Sequence, residues 1–394
     1  MGMTVTLNDL TVDGKGSYGI AASAVPFSKN LYTYLRITDI NDDGTLNLKD
    51  LKSVDDEKAK DYLLRPNDIV FARTGASTGR NYFYDGTDGQ FVYAGFLIKF
   101  SLDASKVNPR YIKYYCQSKQ YKDWVNSFNT GSTRGNINAH TLGKMPVPLI
   151  DRKKQDALVC ILSCIDDKIR NNISINDNLE QQAETIFHKF FVDSSIAEAW
   201  GISTLDSLTT LISRGIAPKY TEDSAQIVIN QKCIRDHYID ISLGRKHKPK
   251  NVNEKWLQYG DLLINSTGEG TLGRTAQVWF VPENMTVDSH VTIVRPKYQH
   301  LIFYIGFWGL SHEREIESLH TGSTGQTELP RERVKSMKLL IPDSETLARF
   351  NTVIEPMVSA IISNQQENVR LAKIRDTLLP ELMSGEIDVS NIQI

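Results

Sequence analysis

Leu158, Leu162, Ile165, Ile169, Asn172, Asn176, Leu179, Ala183, Ile186 and Phe190 follow one another at alternating steps of four and three. That spacing is a heptad seam, the pattern of a helix that packs along its length against another. Moved on by 192 residues, it reads Phe350, Ile354, Met357, Ile361, Asn364, Asn368, Leu371, Arg375, Leu378 and Leu382. Even the two asparagines recur. Asparagine in an apolar seam costs stability unless it pairs, and its best-attested use is to fix register. Two long antiparallel helices are therefore expected, with Asn172, Asn176, Asn364 and Asn368 meeting near the middle. The alternative is a half-exposed seam that tolerates asparagine. A first helix from about Lys153 to Phe190 would be ~57 Å long at 1.5 Å per residue. Pro356 removes a helical hydrogen bond, so the straight part of the second helix is expected to begin there.

The sequence before each helix is also written twice. Leu35-Arg36-Ile37-Thr38-Asp39-Ile40 aligns with Ile229-Asn230-Gln231-Lys232-Cys233-Ile234 at an offset of 194. Asp68-Ile69-Val70-Phe71-Ala72-Arg73-Thr74-Gly75 aligns with Asp261-Leu262-Leu263-Ile264-Asn265-Ser266-Thr267-Gly268 at 193, and Thr130-Gly131-Ser132-Thr133 with Thr321-Gly322-Ser323-Thr324 at 191. Short apolar runs bounded by Gly, Asn and Asp, such as Asp68–Ala72 and Phe91–Ile98, read as buried strands. One helix is expected near Pro109–Phe128, with Ile112, Tyr115, Cys116, Trp124, Val125 and Phe128 on a core face. The fold class is mixed α+β: two α/β units in pseudo-two-fold tandem, separated by two long antiparallel coiled-coil helices. The expected boundaries are 1–149 and 194–342 for the units, 150–193 for the first helix, and 343–394 for the second helix with its tail.

The 394 residues suffice for two or three self-sufficient cores. Lys+Arg 45 against Asp+Glu 47 gives a net charge of −2, which excludes a uniformly basic nucleic-acid coat protein. Four cysteines without a CxxC and eight histidines without complementary spacing give no zinc signature. Cys160 and Cys164 read as helix-interface side chains. The start of the chain lacks the pattern of a secretory signal. The longest apolar passage, around Leu301–Trp308, is far shorter than the ~20 residues a membrane span needs. A cytoplasmic protein with no membrane partner is expected.

Gly268-Glu269-Gly270-Thr271-Leu272-Gly273 matches the dinucleotide fingerprint in letters. The fingerprint also requires a helix immediately afterwards. Here Arg274–Phe280 reads as a strand, so a Gly-rich turn between strands is the better reading. Arg73, Thr74, Ser77 and Arg80 around the first turn, with Thr267, Thr271 and Arg274 around the second, either close a tight loop or offer donors to phosphate oxygens. Ser132, Thr133, Arg134 and Asn136, and likewise Ser323, Thr324 and Gln326, carry side-chain types suited to phosphates or base edges. Arg245, Lys246 and Lys248 lie in a run free of acids, and Arg214, Lys219 and Tyr220 form a second basic turn. Each is a solvated loop or a place where phosphates are neutralised, and nucleic-acid contact is the favoured reading. Asp166 and Asp167, beside Lys168 and Arg170, read as a charged outer helix face. No nucleophile, Walker or metalloprotease pattern is present.

These ordered features resemble the specificity (S) subunit of type I restriction–modification systems. The resemblance runs through both Asp-to-Arg blocks, the Gly-Ser-Thr turns, Met145-Pro146-Val147-Pro148-Leu149, and Met337-Lys338-Leu339-Leu340-Ile341-Pro342. It extends to two helix exits, Ala183–Asp193 and Leu378–Ile387. It implies that each α/β unit is a target-recognition domain reading half of a bipartite double-stranded DNA target, and that the helices set the spacer and dock two methyltransferase (M) subunits. It also implies a non-catalytic chain without a cofactor of its own: S-adenosylmethionine belongs to the methyltransferase, and restriction (R) subunits join to cleave. The alternatives are a coiled-coil adaptor that binds only protein and, more remotely, a nucleotide-binding enzyme built on Gly268–Gly273.

Overall fold

The computed structural model describes residues 3–389 apart from 49, 129–135, 194–196, 198, 269 and 323–326. The chain divides into two compact units, Met1–Ile169 with Val369–Ile394, and Arg170–Asn368. Each unit thus takes in one portion of each long helix as well as its own sheets, which consecutive sequence boundaries do not anticipate.

In the first unit, Ser17–Tyr18, Leu97–Ser101, Asp68–Ala72 and Asn81–Tyr84 form an antiparallel sheet in that spatial order. Alternate side chains of its central strand serve opposite faces, as the period of two dictates. Ile69 and Phe71 join Ile98, Phe100, Tyr111, Leu158, Leu162, Leu379 and Leu382 in one core. Val70 and Ala72 join Leu35, Tyr82, Phe91 and Leu97 in another. Both faces are covered, which explains an apolar run without polar alternation. A second sheet pairs Ala24–Pro26, Lys52–Val54, Tyr32–Leu35 and Phe91–Tyr93 in that order, the last pair parallel. Met3–Thr6 pairs with Pro146–Leu149, the strand leading into the first long helix.

The second unit repeats the plan. Thr209–Arg214, Val291–Pro296, Leu262–Asn265 and Thr275–Gln277 form the matching antiparallel sheet, and Ile227–Ile229 pairs in parallel with Met285–Val287. Gly201–Thr204 pairs with Lys338–Ile341 as Met3–Thr6 does with Pro146–Leu149. Leu262 and Ile264 face a core shared with Phe187, Phe307, Phe350 and Ile354, while Leu263 faces Ala276, Val287 and Ile293. The apolar passage at 301–308 is the helix Ile302–Ser311, buried on nearly all sides. Among the described residues no helix is long and apolar enough to cross a membrane.

The long helices run Arg152–Phe191 and Ser344–Ser384. The second starts at Ser344, where Asp343 accepts a hydrogen bond from the backbone N–H of Thr346 (2.8 Å), and it stays helical through Pro356. Burial of Ile354, Val358 and Ile361 around the proline carries the helix through it. Within the second unit the side-chain amide of Asn172 donates to Asn368 Oδ1 (2.9 Å) and to Glu367 (2.7 Å), and that of Asn364 to Asn176 Oδ1 (2.8 Å). The helices are antiparallel there, and in the first unit Leu158 and Leu162 share a core with Leu379 and Leu382.

Two expected elements are split. The helix foreseen over Pro109–Phe128 is two, Pro109–Tyr115 and Lys119–Asn126, because Ser118 caps the second by accepting from the Tyr121 N–H. The run Phe91–Ile98 is also not one strand. Phe91–Tyr93 and Leu97–Ser101 belong to different sheets, and the turn between them exposes Phe96.

Candidate nucleic-acid interface

The Gly-rich turn of each unit joins the central strand to its neighbour. In the first, Gly75 and Gly79 adopt φ of 76° and 87°, the Thr78 hydroxyl donates to the Gly75 carbonyl (2.8 Å), and Gly79 N–H donates to the Ala72 carbonyl (2.8 Å). In the second, Gly268, Gly270 and Gly273 have φ of 100°, 69° and 85°, and Gly273 N–H donates to the Asn265 carbonyl (2.9 Å). Each turn leads into a strand, Asn81–Tyr84 or Thr275–Gln277. Among the described residues no α-helix opens where a dinucleotide pyrophosphate would sit.

Tertiary structure brings the two kinds of polar motif together. Ile137 N–H donates to the Arg73 carbonyl (2.9 Å) and Leu329 N–H to the Ser266 carbonyl (2.8 Å). Thr74 bridges Asn136, and Thr267 bridges Glu328. The segment after each Gly-Ser-Thr motif therefore lies beside its unit's Gly-rich turn. Ser132, Thr133, Arg134, Ser323, Thr324 and Gln326 lie outside the described residues.

The predicted basic residues divide into engaged and available groups. Arg80 is held by Asp42 (2.7 Å) and the Ile40 carbonyl (3.2 Å), and Arg214 by Glu328 (2.5 Å) and the Leu329 carbonyl (2.9 Å). Ser77 is buried. Thr267 hydrogen-bonds His290 Nδ1 (2.7 Å). Arg274 makes no side-chain hydrogen bond or ion pair with another described residue. The two basic stretches of the second unit meet: Lys248 N–H donates to the Lys219 carbonyl (2.9 Å), Tyr220 bridges His247, and the Arg245 guanidinium stacks 3.4 Å over the Tyr220 ring. Lys246 reaches the Glu222 carbonyl (3.1 Å), leaving Lys219, Arg245 and Lys248 on an exposed cationic ridge. This geometry suits neutralisation of a phosphate backbone.

Arg73 sits between Tyr18, whose ring centroid is 5.3 Å from the guanidinium carbon, and Phe96, at 5.8 Å. These rings are 45% and 56% exposed, and Arg73 Nε is buried without a hydrogen-bond partner. Sequence reading passed over both aromatics. Phe96 is hidden inside what reads as a continuous strand, and Tyr18 lies in a two-residue strand with no period. The second unit has the same backbone frame. Arg73 N–H donates to the Phe96 carbonyl, as Ser266 N–H does to the His290 carbonyl. Tyr18 pairs with Ile98, as Arg214 does with Thr292. Tyr18, Arg73 and Phe96 thus correspond to Arg214, Ser266 and His290.

Asp166 departs from its expected solvated face. Burial would raise its pKa, yet Lys113 (2.7 Å), the Tyr114 hydroxyl (2.9 Å) and Arg375 (3.2 Å) hold it below the usual carboxylate range. It is a structural tie of the first unit. Asp68 and Asp261, which open the repeated blocks, are structural too: each accepts a backbone N–H three residues earlier, and Asp261 also pairs with Arg295 (2.8 Å).

The two units thus repeat one scaffold that carries different side chains at matching positions. Residues 17–181 match the family model described as type I restriction modification DNA specificity domain. The chain is 25% identical over 314 residues to the MjaIX specificity subunit of Methanocaldococcus jannaschii, covering 72% of this chain and 70% of that protein. It is 20% identical over 404 residues to the HindI specificity subunit of Haemophilus influenzae, covering 82% and 87%. The fold is that of the crystal structure of the type I S subunit from M. genitalium, at a TM-score of 0.55 and 16% identity, over 97% of this chain and 96% of that one. Through most of its length the chain is thus similar to specificity subunits of type I restriction–modification systems.

Proposed function

We propose that the chain reads a bipartite, asymmetric target in double-stranded DNA, one half-site per unit. The observation that carries this is the shared frame bearing Tyr18, Arg73 and Phe96 in one unit and Arg214, Ser266 and His290 in the other. Equal backbones place equivalent positions alike, and unequal side chains there give the two units different surfaces for a base edge. Thr74, Arg274, Lys219, Tyr220, Arg245, Lys246 and Lys248 contribute phosphate or base contacts, whereas Arg80 and Arg214 shape the surface through their carboxylate partners. The functional modules are 1–149 and 194–342 as target-recognition domains, and 150–193 and 343–394 as spacer helices.

The helices set the unspecified spacer, their asparagines fixing the register, and they dock two methyltransferase subunits. Exposed apolar side chains on them, Ile173 and Ile175 on the first and Val369 and Ile374 on the second, support that docking role. The chain itself performs no reaction and binds no cofactor. The methyltransferase subunits bring S-adenosylmethionine, restriction subunits join for cleavage, and the assembly works in the cytoplasm. A net charge of −2 fits a reader whose partners share the task of holding DNA. Mapping adenine methylation in host cells with and without the gene tests the reading. One bipartite motif should vanish on deletion, and an unchanged methylome overturns the proposal.

A further inference from the structure

We propose that Arg73 is the side chain by which the first unit recognises a guanine, through end-on hydrogen bonds from its two terminal nitrogens to O6 and N7 in the major groove. The inference rests on the half-site reading above and assigns one base of it to one residue.

Three observations converge on this residue. The backbone of Arg73 is fixed on both sides, its N–H donating to the Phe96 carbonyl (3.1 Å) and its carbonyl accepting from Ile137 (2.9 Å). The guanidinium lies between two exposed rings, one of which is itself pinned: the Tyr18 hydroxyl accepts from the Ala139 N–H (3.1 Å). Aromatic neighbours limit how a guanidinium can turn, so the orientation of its donors is set before DNA arrives. Nε is buried and unpartnered, so only the terminal pair of nitrogens is left to meet a ligand. Two donors in one plane match the O6 and N7 acceptors of guanine.

A phosphate would satisfy the same two donors, and comparison of the units decides against it. Phosphates recur at every nucleotide, so a phosphate contact belongs in both halves of a duplicated reader. Thr74 and Thr267, with their glycine turns, are kept in both. Arg73 is not: its counterpart Ser266 is fully buried, with its hydroxyl bonded to Thr292 (2.5 Å). A group present in one half and withdrawn in the other distinguishes two half-sites.

The test uses cells carrying the complete system and reads the methylated motif. With Arg73→Lys, charge stays but the planar pair of donors goes. One position of one half-site should then relax from guanine to several bases, with discrimination falling about tenfold or more, while the other half-site and the spacer persist. Uniformly weaker methylation with an unchanged motif means a phosphate contact and overturns the assignment. A wild-type motif lacking a G·C pair in both half-sites also overturns it. An unchanged methylome on deleting the gene defeats instead the half-site reading on which the assignment stands. Should Arg73→Lys abolish methylation altogether, competition binding by the purified Phe96→Leu complex decides. Reduced preference for the guanine duplex over its substituted versions supports the assignment, and an unchanged preference overturns it.

Discussion

Asn172 and Asn368, one from each of two copies of one heptad seam, are joined by an amide hydrogen bond of 2.9 Å, and Asn172 is fully buried. Asn364 and Asn176 make the companion bond. Within apolar surroundings such amides strongly prefer the one alignment that pairs them, since a slipped helix would leave them unpaired.

Asn368→Ala should therefore cost about 1–3 kcal/mol by removing the partner of a buried amide. Replacing both Asn172 and Asn368 with Leu should recover much of that loss while relaxing the alignment. Thermal unfolding of the single and double variants, read as a double-mutant cycle, checks both expectations.

The frame shared by the units requires a glycine at one place in each. A Cβ on Gly19 would lie 2.2 Å from the Ala94 carbonyl oxygen, and one on Gly215 1.9 Å from that of Val287. In both cases the obstacle is backbone, which cannot swing aside. Gly19→Ala and Gly215→Ala should each destabilise their own unit by about 3 kcal/mol or more. Gly201→Ala, with open space around it, should be close to neutral by the same denaturation measurement.

His237 bears on the pH dependence of the second unit. It lies 3.5 Å from Glu184 and 3.7 Å from Glu313, and hydrogen bonding to these carboxylates raises its pKa from 6.5 to about 10. The stabilisation from this cluster is therefore complete below pH 6.5 and is lost as pH rises through about 10. Glu180, raised to about 7 by burial against the opposing pull of His237, titrates below most of that window, and Asp236 adds a further negative charge nearby. The stability gap between wild type and His237→Gln should be widest near pH 6 and close toward pH 10. Urea unfolding across that range measures it.

The ridge of Lys219, Arg245 and Lys248 should act through counterion release. Arg245→Ala or Lys248→Ala should weaken binding to all DNA sequences alike and reduce the log–log salt slope by about 0.9 for each phosphate no longer neutralised. Titrating the assembled complex with duplex DNA at several salt concentrations provides the slope.

Deleting one heptad from the first long helix removes ~10 Å of length at 1.5 Å per residue. That is about three base pairs at 3.4 Å each. The methylated motif should keep both half-sites and change only in its spacer, as methylome sequencing would show.

Sequence alone determined the duplication and the two long helices, and it led to the expectation that their four asparagines meet. Those features rest on periodicity and on identity at fixed offsets, which are local properties of the chain. It also favoured a turn between strands over a dinucleotide site at Gly268–Gly273, because Arg274–Phe280 has no helical pattern. Only tertiary structure decided which charges are available. Arg80 and Arg214 look as free as Arg274 in sequence, but Asp42 and Glu328 reach them from distant segments. Asp166 turns inward for the same reason, and Tyr18 and Phe96 become a clamp only when two short strands bracket Arg73. Periodicity records which face of an element is buried. Which side chains meet across separate elements depends on pairing and packing over the whole unit.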